Sequence, residues 1–312
     1  MKQINIAVIG VGNLGQYHTK IYSEIQEVNL IGIVDVAPKQ LEKISKQYGV
    51  QGYTDYHDIM DKVDAVSIVT PTTTHYTIGR EFLLNNKHCM IEKPITTNLE
   101  HAEELISLAQ EKNVILQIGH IERFNAAIQE LKKHINNPKF IETDRLGPYD
   151  PRVGDVGVVL DLMIHDLDIV LFLVKSKVKD IEAFGTSIFS PHEDIVKVRL
   201  KFENGCIADL SASRATIGKY RKLRIFQSDA YISVDYAVQK IRIYKKKIPN
   251  PKSMDDIEIV KQKIVRANSL QEELKHFTNC ITLKKQPLVS GEHGRDALEL
   301  ALEILKRLQK HG

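Results

Sequence analysis

Between Gly157 and Phe172 nearly every residue is apolar, and the exceptions are chemically active: Asp161, His165, Asp166 and Asp168. Asp161 and His165 are four residues apart, so a helix sets them one turn from each other on one face. Imidazole changes charge near neutral pH and suits a general base, and a carboxylate one turn away can orient the ring and stabilise the imidazolium. A helix apolar on almost every side is buried, where a polar group is costly unless it has a partner or opens to a cleft. The pattern therefore predicts the floor of a pocket, although a core histidine pinned by an aspartate would use the same residues. Three aspartates and a histidine exclude a membrane span, where central charges are expensive.

A second chemical signal lies near the start. Gly10-Val11-Gly12-Asn13-Leu14-Gly15 follows the apolar run Ile4 to Ile9 and opens a helix. In that context the first glycine permits a tight turn, the second lets a pyrophosphate approach the backbone, and the third allows close helix packing. The helix start then offers N–H groups and a positive dipole end to phosphates. Asp35 closes the next apolar run roughly 20 residues further on, where a carboxylate accepts ribose hydroxyls. Gly10, Gly12, Asn13, Leu14, Gly15 and Asp35 thus predict a dinucleotide site, NAD rather than NADP, because Asp35 would repel a 2′-phosphate. Val36, Ala37 and Pro38 offer that phosphate no arginine, and Lys39 is the one nearby cation. Two more apolar runs end in candidate site residues: Thr70-Pro71-Thr72 with His75, and Glu92-Lys93-Pro94.

The elements that position these residues follow from periodicity. Short apolar runs at Ile4 to Ile9, Asn29 to Val34, Ala65 to Val69, His88 to Ile91 and Val114 to Ile118 alternate with amphipathic stretches, which predicts a doubly wound parallel sheet. Thr97-Asn98-Leu99-Glu100 and Ser269-Leu270-Gln271-Glu272 have capping-box spacing and predict helix starts. A last helix is expected from Arg295 to Gln309. After Phe124 the pattern changes to alternation. Val196, Val198, Leu200 and Phe202 share one face and Lys197, Arg199 and Lys201 the other, a half-exposed strand. Asn204-Gly205 predicts a hairpin returning through Cys206 to Ser213. Lys245-Lys246-Lys247 reads as a solvated strand end.

With 312 residues and 43% hydrophobic content, the chain suits two globular domains. Lys+Arg 43 against Asp+Glu 40 is too even a balance to imply a nucleic-acid partner. The first residues lack the length and cleavage site of a signal peptide. Cys89, Cys206 and Cys280 form no disulfide or zinc pattern, and the histidines have no metal-ligand spacing, so a cytoplasmic protein without a metal is expected.

Taken together, the glycine loop, Thr70-Pro71 with His75, Glu92-Lys93-Pro94, Arg123-Phe124, Asp161 with His165, and the tail Val289 to Ala297 resemble the glucose-fructose oxidoreductase and inositol dehydrogenase (Gfo/Idh/MocA) family. The resemblance covers nearly the whole chain. It implies an α/β fold: an NAD-binding Rossmann domain over 1–120, then a substrate-binding and oligomerisation domain over 121–312 with an open, mainly antiparallel sheet, the C-terminal helix packing back on the first domain. It also implies nicotinamide-dependent oxidation or reduction at a sugar or polyol carbon, a Lys-Pro bond that is frequently cis, and a homodimer or homotetramer. Lys93 would donate to the reacting oxygen, His165 would take its proton and Asp161 would orient the ring. Many members have glycine at the positions of Val158 and Met163, so the packing of that helix is expected to differ here.

Gly119 to Asn125, Arg145 to Arg152 and Asp155 to Leu171 are similar, more narrowly, to dehydrogenases that oxidise C3 of UDP-N-acetylglucosamine at the start of diamino-sugar synthesis for lipid A. A diphosphate attracts fork-shaped guanidinium donors. Arg123, Arg145 and Arg152 are candidates for it, with Tyr149 a further substrate contact. The competing expectations are a UDP-N-acetylglucosaminuronate or inositol dehydrogenase, and a dinucleotide-sensing protein without catalysis.

Overall fold

The computed structural model describes residues 3–150 and 156–309, which form two compact units. Of the described residues, 3–121 and 268–298 make one unit, and 122–150, 156–267 and 299–309 the other. The chain therefore returns to the first unit near its end.

In the first unit the elements are β1 (Ile4–Ile9), α1 (Gly15–Glu24), β2 (Val28–Val34), α2 (Pro38–Tyr48), β3 (Gly52–Tyr53), β4 (Ala65–Ile68), α3 (Thr72–Leu84), β5 (His88–Glu92), α4 (Leu99–Glu111) and β6 (Leu116–Gly119). The strands are parallel in the order β3-β2-β1-β4-β5-β6. Covered on both faces, they are apolar almost throughout, as parallel strands are. The order reverses between β1 and β4, the point at which open sheets of this kind place ligands at their carboxyl ends. Short β3 had no periodic signal. The sixth strand begins two residues later than expected, because Asn113 leaves α4 with φ 52° and the Val114 N–H stays bonded to Ala109 in that turn. α4 also starts one residue later than its capping-box reading. Asn98, not Thr97, is the cap, accepting from the His101 N–H at 2.9 Å.

The second unit holds α5 (Ala126–Leu131), β7 (Phe140–Leu146), a π-helical turn at Val159–Met163 that runs into α6 (Ile164–Val174), β8 (Val178–Thr186), β9 (Ile195–Phe202), β10 (Ile207–Ser213), β11 (Tyr220–Phe226), β12 (Ala230–Asp235), β13 (Lys240–Lys246) and β14 (Ile257–Gln262). Its sheet runs β14-β13-β12-β11-β7-β10-β9-β8, antiparallel except for the β7–β10 pair. The predicted hairpin is β9–β10, with Gly205 at φ 82° in its turn. Alternation along β9 buries Val196, Val198, Leu200 and Phe202, and the same rule on β7 turns Ile141, Thr143 and Arg145 inward. One face thus meets α5 and α6 in a core, while the other carries cross-strand ion pairs such as Arg199–Asp209 and Arg224–Glu142.

α7 (Ser269–Leu283) is capped by Asn268, one residue before the serine expected there, and packs Leu270, Leu274 and Phe277 into the first unit's core. α8 (Gly291–Gln309) starts four residues before the expected Arg295. Its first turn lays Gly291 and Gly294 against Ile106, Leu116 and Ile118. Among the described residues no helix is long and apolar enough to cross a membrane.

The cap assignment is testable. Asn98→Ala should lower the free energy of unfolding in urea by about 1 kcal/mol, whereas Thr97→Ala, at an exposed position, should change it by less than about 0.5 kcal/mol.

Candidate active site

The glycine loop sits at the carboxyl end of β1, and each glycine is there for a different reason. Gly10 has φ 87°, and a Cβ on it would lie 2.6 Å from the Val69 carbonyl oxygen. A Cβ on Gly15 would lie 1.9 Å from the Gly10 carbonyl oxygen, so the first turn of α1 fits only without a side chain. At Gly12 a Cβ would meet nothing within 4 Å, which leaves open space over the loop. Gly12, Asn13 and Leu14 are exposed beside it, with Leu14 as the residue before α1. This geometry fits a dinucleotide pyrophosphate seated over Gly12 at a helix N-terminus.

Asp35 stands one residue past β2. Its Oδ2 accepts the Val11 N–H at 2.8 Å and its Oδ1 the Ala37 N–H at 2.8 Å, tying β2 to the glycine loop. A carboxylate has about four acceptor positions, so ribose hydroxyls can still bond to it. Thr70 and Thr72 are half-buried and Pro71 exposed where β4 leads into α3. His75 is a buried strut: Nδ1 lies 2.8 Å from the Pro94 carbonyl and Nε2 2.9 Å from the Thr70 carbonyl. Burial lowers its pKa, and the two carbonyls oppose that shift, so the ring links the two loops through both of its nitrogens. Lys93, half-buried, follows β5 and joins Pro94 through a cis peptide. The Glu92 carboxylate is buried; its Oε2 accepts the Lys93 N–H at 3.2 Å and its Oε1 lies 3.3 Å from His18 Nε2.

In the second unit, Asp161 belongs to the π-helical turn and His165 to the first turn of α6. Isolated π turns recur at functional sites. The start of this segment is held by Glu193, whose carbonyl accepts the Val158 N–H and whose carboxylate accepts the Val159 N–H and fills the space above Gly157. Val158 and Met163 are both fully buried in the core. Asp161 and His165 are half-buried, while Asp166 and Asp168 are 1% exposed each. The four acidic or basic groups of this run therefore sort into two kinds.

The buried pair accounts for the arginines expected to bind phosphate. Arg123 donates through Nε and Nη2 to both Asp168 oxygens at 2.6 and 2.7 Å, and its guanidinium stacks 4.1 Å from the Phe172 ring centre. Arg145 donates to both Asp166 oxygens at 2.7 and 3.0 Å and to Glu122 at 2.9 Å. Burial disfavours the Arg145 charge, but Asp166 and Glu122 outweigh it and raise its pKa. Both guanidinium forks are thus engaged inside the fold, which corrects the expectation that they face a substrate diphosphate. Their work is to hold α6. Tyr149 is half-buried, its ring 5.5 Å from that of Phe189 and 5.6 Å from the Arg214 guanidinium. Arg152 lies outside the described residues.

Glu122, Glu193 and His18 went unread in the sequence, and Asp166 and Asp168 were noted there without their arginine partners. The signal for Glu122 and Asp166 as its partners was available: β7 alternation turns Arg145 inward, and a buried cation demands carboxylates.

Two predictions follow from this geometry. Arg123→Leu, which strands Asp168 in the core, should destabilise the protein by about 3–5 kcal/mol in urea unfolding, and adding Asp168→Leu should restore much of the loss. Gly15→Ala should cost about 1–3 kcal/mol of stability, while Gly12→Ala should leave stability within about 0.5 kcal/mol and weaken NAD binding, as calorimetry would show.

Comparison with known proteins identifies the family. The family profile described as "Oxidoreductase family, NAD-binding Rossmann fold" matches residues 4–120, and that of the GFO/IDH/MocA C-terminal domain matches 118–233. The chain is 33% identical over 305 residues to the UDP-N-acetylglucosamine 3-dehydrogenase of Acidithiobacillus ferrooxidans, covering 97% of each chain. A solved structure of that enzyme superposes with a TM-score of 0.93 over 99% of both chains. The scyllo-inositol 2-dehydrogenase (NAD(+)) of Bacillus subtilis is 26% identical over 321 residues, 96% of this chain and 92% of that one. With a glycine loop and Asp35 suited to a nicotinamide dinucleotide and this likeness along nearly its whole length, the chain is an oxidoreductase that belongs to the GFO/IDH/MocA family.

Proposed function

We propose that the protein oxidises the C3 hydroxyl of UDP-N-acetylglucosamine to the 3-keto sugar with NAD as the acceptor. The chemistry rests on one observation: of the ionisable groups in the π turn and α6, Asp161 and His165 keep solvent exposure, while Asp166 and Asp168 are buried against arginines. The choice of substrate is supported by the 33% identical relative.

Bound NAD supplies the two-electron acceptor. His165 takes the hydroxyl proton, and Asp161, one turn earlier, orients the ring and stabilises the imidazolium. Lys93 donates to the substrate oxygen and stabilises the negative charge that develops on it. Gly12, Asn13 and Leu14 receive the pyrophosphate, and Thr70, Pro71 and Thr72 border the same end of the sheet. Asp35, with two acceptor positions in reserve, selects a ribose 2′-hydroxyl over a 2′-phosphate. In this reading the product enters diamino-sugar synthesis for lipid A, and the enzyme is a cytoplasmic homodimer or homotetramer. Its three buried thiols are consistent with a reducing compartment.

The test is nicotinamide reduction followed by absorbance with UDP-N-acetylglucosamine, UDP-N-acetylglucosaminuronate, myo-inositol and scyllo-inositol. The highest kcat/KM is expected with UDP-N-acetylglucosamine and NAD; a higher value with an inositol or the uronate would replace the substrate assignment. Lys93→Met and His165→Ala should each cut kcat by about 10² or more with NAD affinity within about twofold of wild type. Wild-type turnover by both variants would remove these residues from the chemistry.

A further inference from the structure

Lys93 is held from both sides by a buried histidine. On its C-terminal side, His75 Nδ1 meets the Pro94 carbonyl. The N-terminal side is held by a longer chain of contacts that starts on α1. His18 is fully buried, with Nδ1 2.8 Å from the Ser67 hydroxyl on β4 and Nε2 3.3 Å from Glu92 Oε1 at the end of β5. The other Glu92 oxygen accepts the Lys93 N–H. The carboxyl has little room to turn. Its strand neighbour is Gly119, and a Cβ there would lie 2.7 Å from it. The Tyr22 ring, one turn along α1, stands edge-on to His18 at 6.5 Å.

We propose that His18 is a positioning residue for Lys93, acting through the Glu92 carboxylate. A buried carboxylate is tolerated only with donors around it. His18 Nε2 lies against one oxygen and limits where the group can turn, and Ser67 fixes the ring by its other nitrogen. The second oxygen then sets the Lys93 peptide, from which the ammonium is aimed. An apolar residue at 18 would remove the polar contact to Glu92, and the Lys93 amide would lose a fixed acceptor. The three groups come from α1, β4 and β5, so the sheet itself registers the lysine. The inference rests on the role given to Lys93 above.

The test combines steady-state kinetics with NMR of protein labelled with ¹⁵N-lysine, the Lys93 amide being assigned by its loss in Lys93→Met. His18→Leu should shift that amide resonance and lower kcat about tenfold to a hundredfold, with KM for NAD within about twofold. His18→Gln, which retains a donor, should recover most of kcat. Glu92→Gln should reproduce the loss, and the double variant His18→Leu/Glu92→Gln should be no slower than the slower single one. An unmoved amide with wild-type kcat in His18→Leu, or losses that multiply in the double variant, would overturn the proposal. If His18→Leu does not fold, Glu92→Gln decides: a shifted amide with reduced kcat and retained KM supports the proposal, and an unmoved amide contradicts it. The amide resonance is read without substrate. Failure of UDP-N-acetylglucosamine as a substrate for the wild type would therefore refute the functional reading alone.

Discussion

The charged groups buried around α6 and at the carboxyl end of the parallel sheet stand beside partners of opposite charge or hydrogen-bonding groups, and that constraint shapes both units. In the second, Arg145 enters the core because β7 alternation gives it no other direction, and Arg123 is equally enclosed. Each would be prohibitive alone. Asp166 and Asp168 accept their paired N–H donors, and the same contacts fasten α6 at two points two residues apart along the helix. Asp161 and His165 stand on the half-exposed part of the same segment. The helix is thus clamped through one set of acids while another set keeps access to solvent.

The first unit applies the rule with neutral and charged groups mixed. Asp35 gathers two backbone N–H groups, Glu92 gathers the Lys93 N–H and the His18 ring, and His75 spans two carbonyls. Asp35 and Glu92 stand at strand ends on the carboxyl edge of the parallel sheet, and His75 lies in the first turn of α3 at the same edge. Close approach completes the arrangement: Gly15 rests on the Gly10 carbonyl, and α1 starts where the loop leaves open space above Gly12. Rigid backbone contacts of this kind set a phosphate site without needing side chains to bind it.

Much of this was legible in the residues themselves. Apolar runs separated by amphipathic stretches marked five of the six parallel strands, and two-residue β3 escaped because so short a segment has no period to detect. Alternation in β9 and the Asn204-Gly205 turn disclosed the hairpin. Cap positions at Asn98 and Asn268 were displaced by one residue because each asparagine competes with a neighbouring threonine or serine for the same role. The π turn could not be read, since π and α turns use the same apolar composition. Arg123 and Arg145 misled for a clear reason. Guanidinium chemistry suits a substrate phosphate and a buried carboxylate equally, and only burial tells which partner is present. Their acids were in view, in the run that first suggested catalysis, and the excess of aspartates there over what one histidine needs was the clue.

The central claim is that a sugar carbon gives up its hydrogen to the nicotinamide under the control of Lys93 and His165. Mass spectrometry of the reduced cofactor formed from UDP-N-acetylglucosamine deuterated at C3 tests it most directly. The account predicts that the reduced nicotinamide carries the deuterium. Deuterium retained in the sugar, or released to water without appearing in the cofactor, would contradict it.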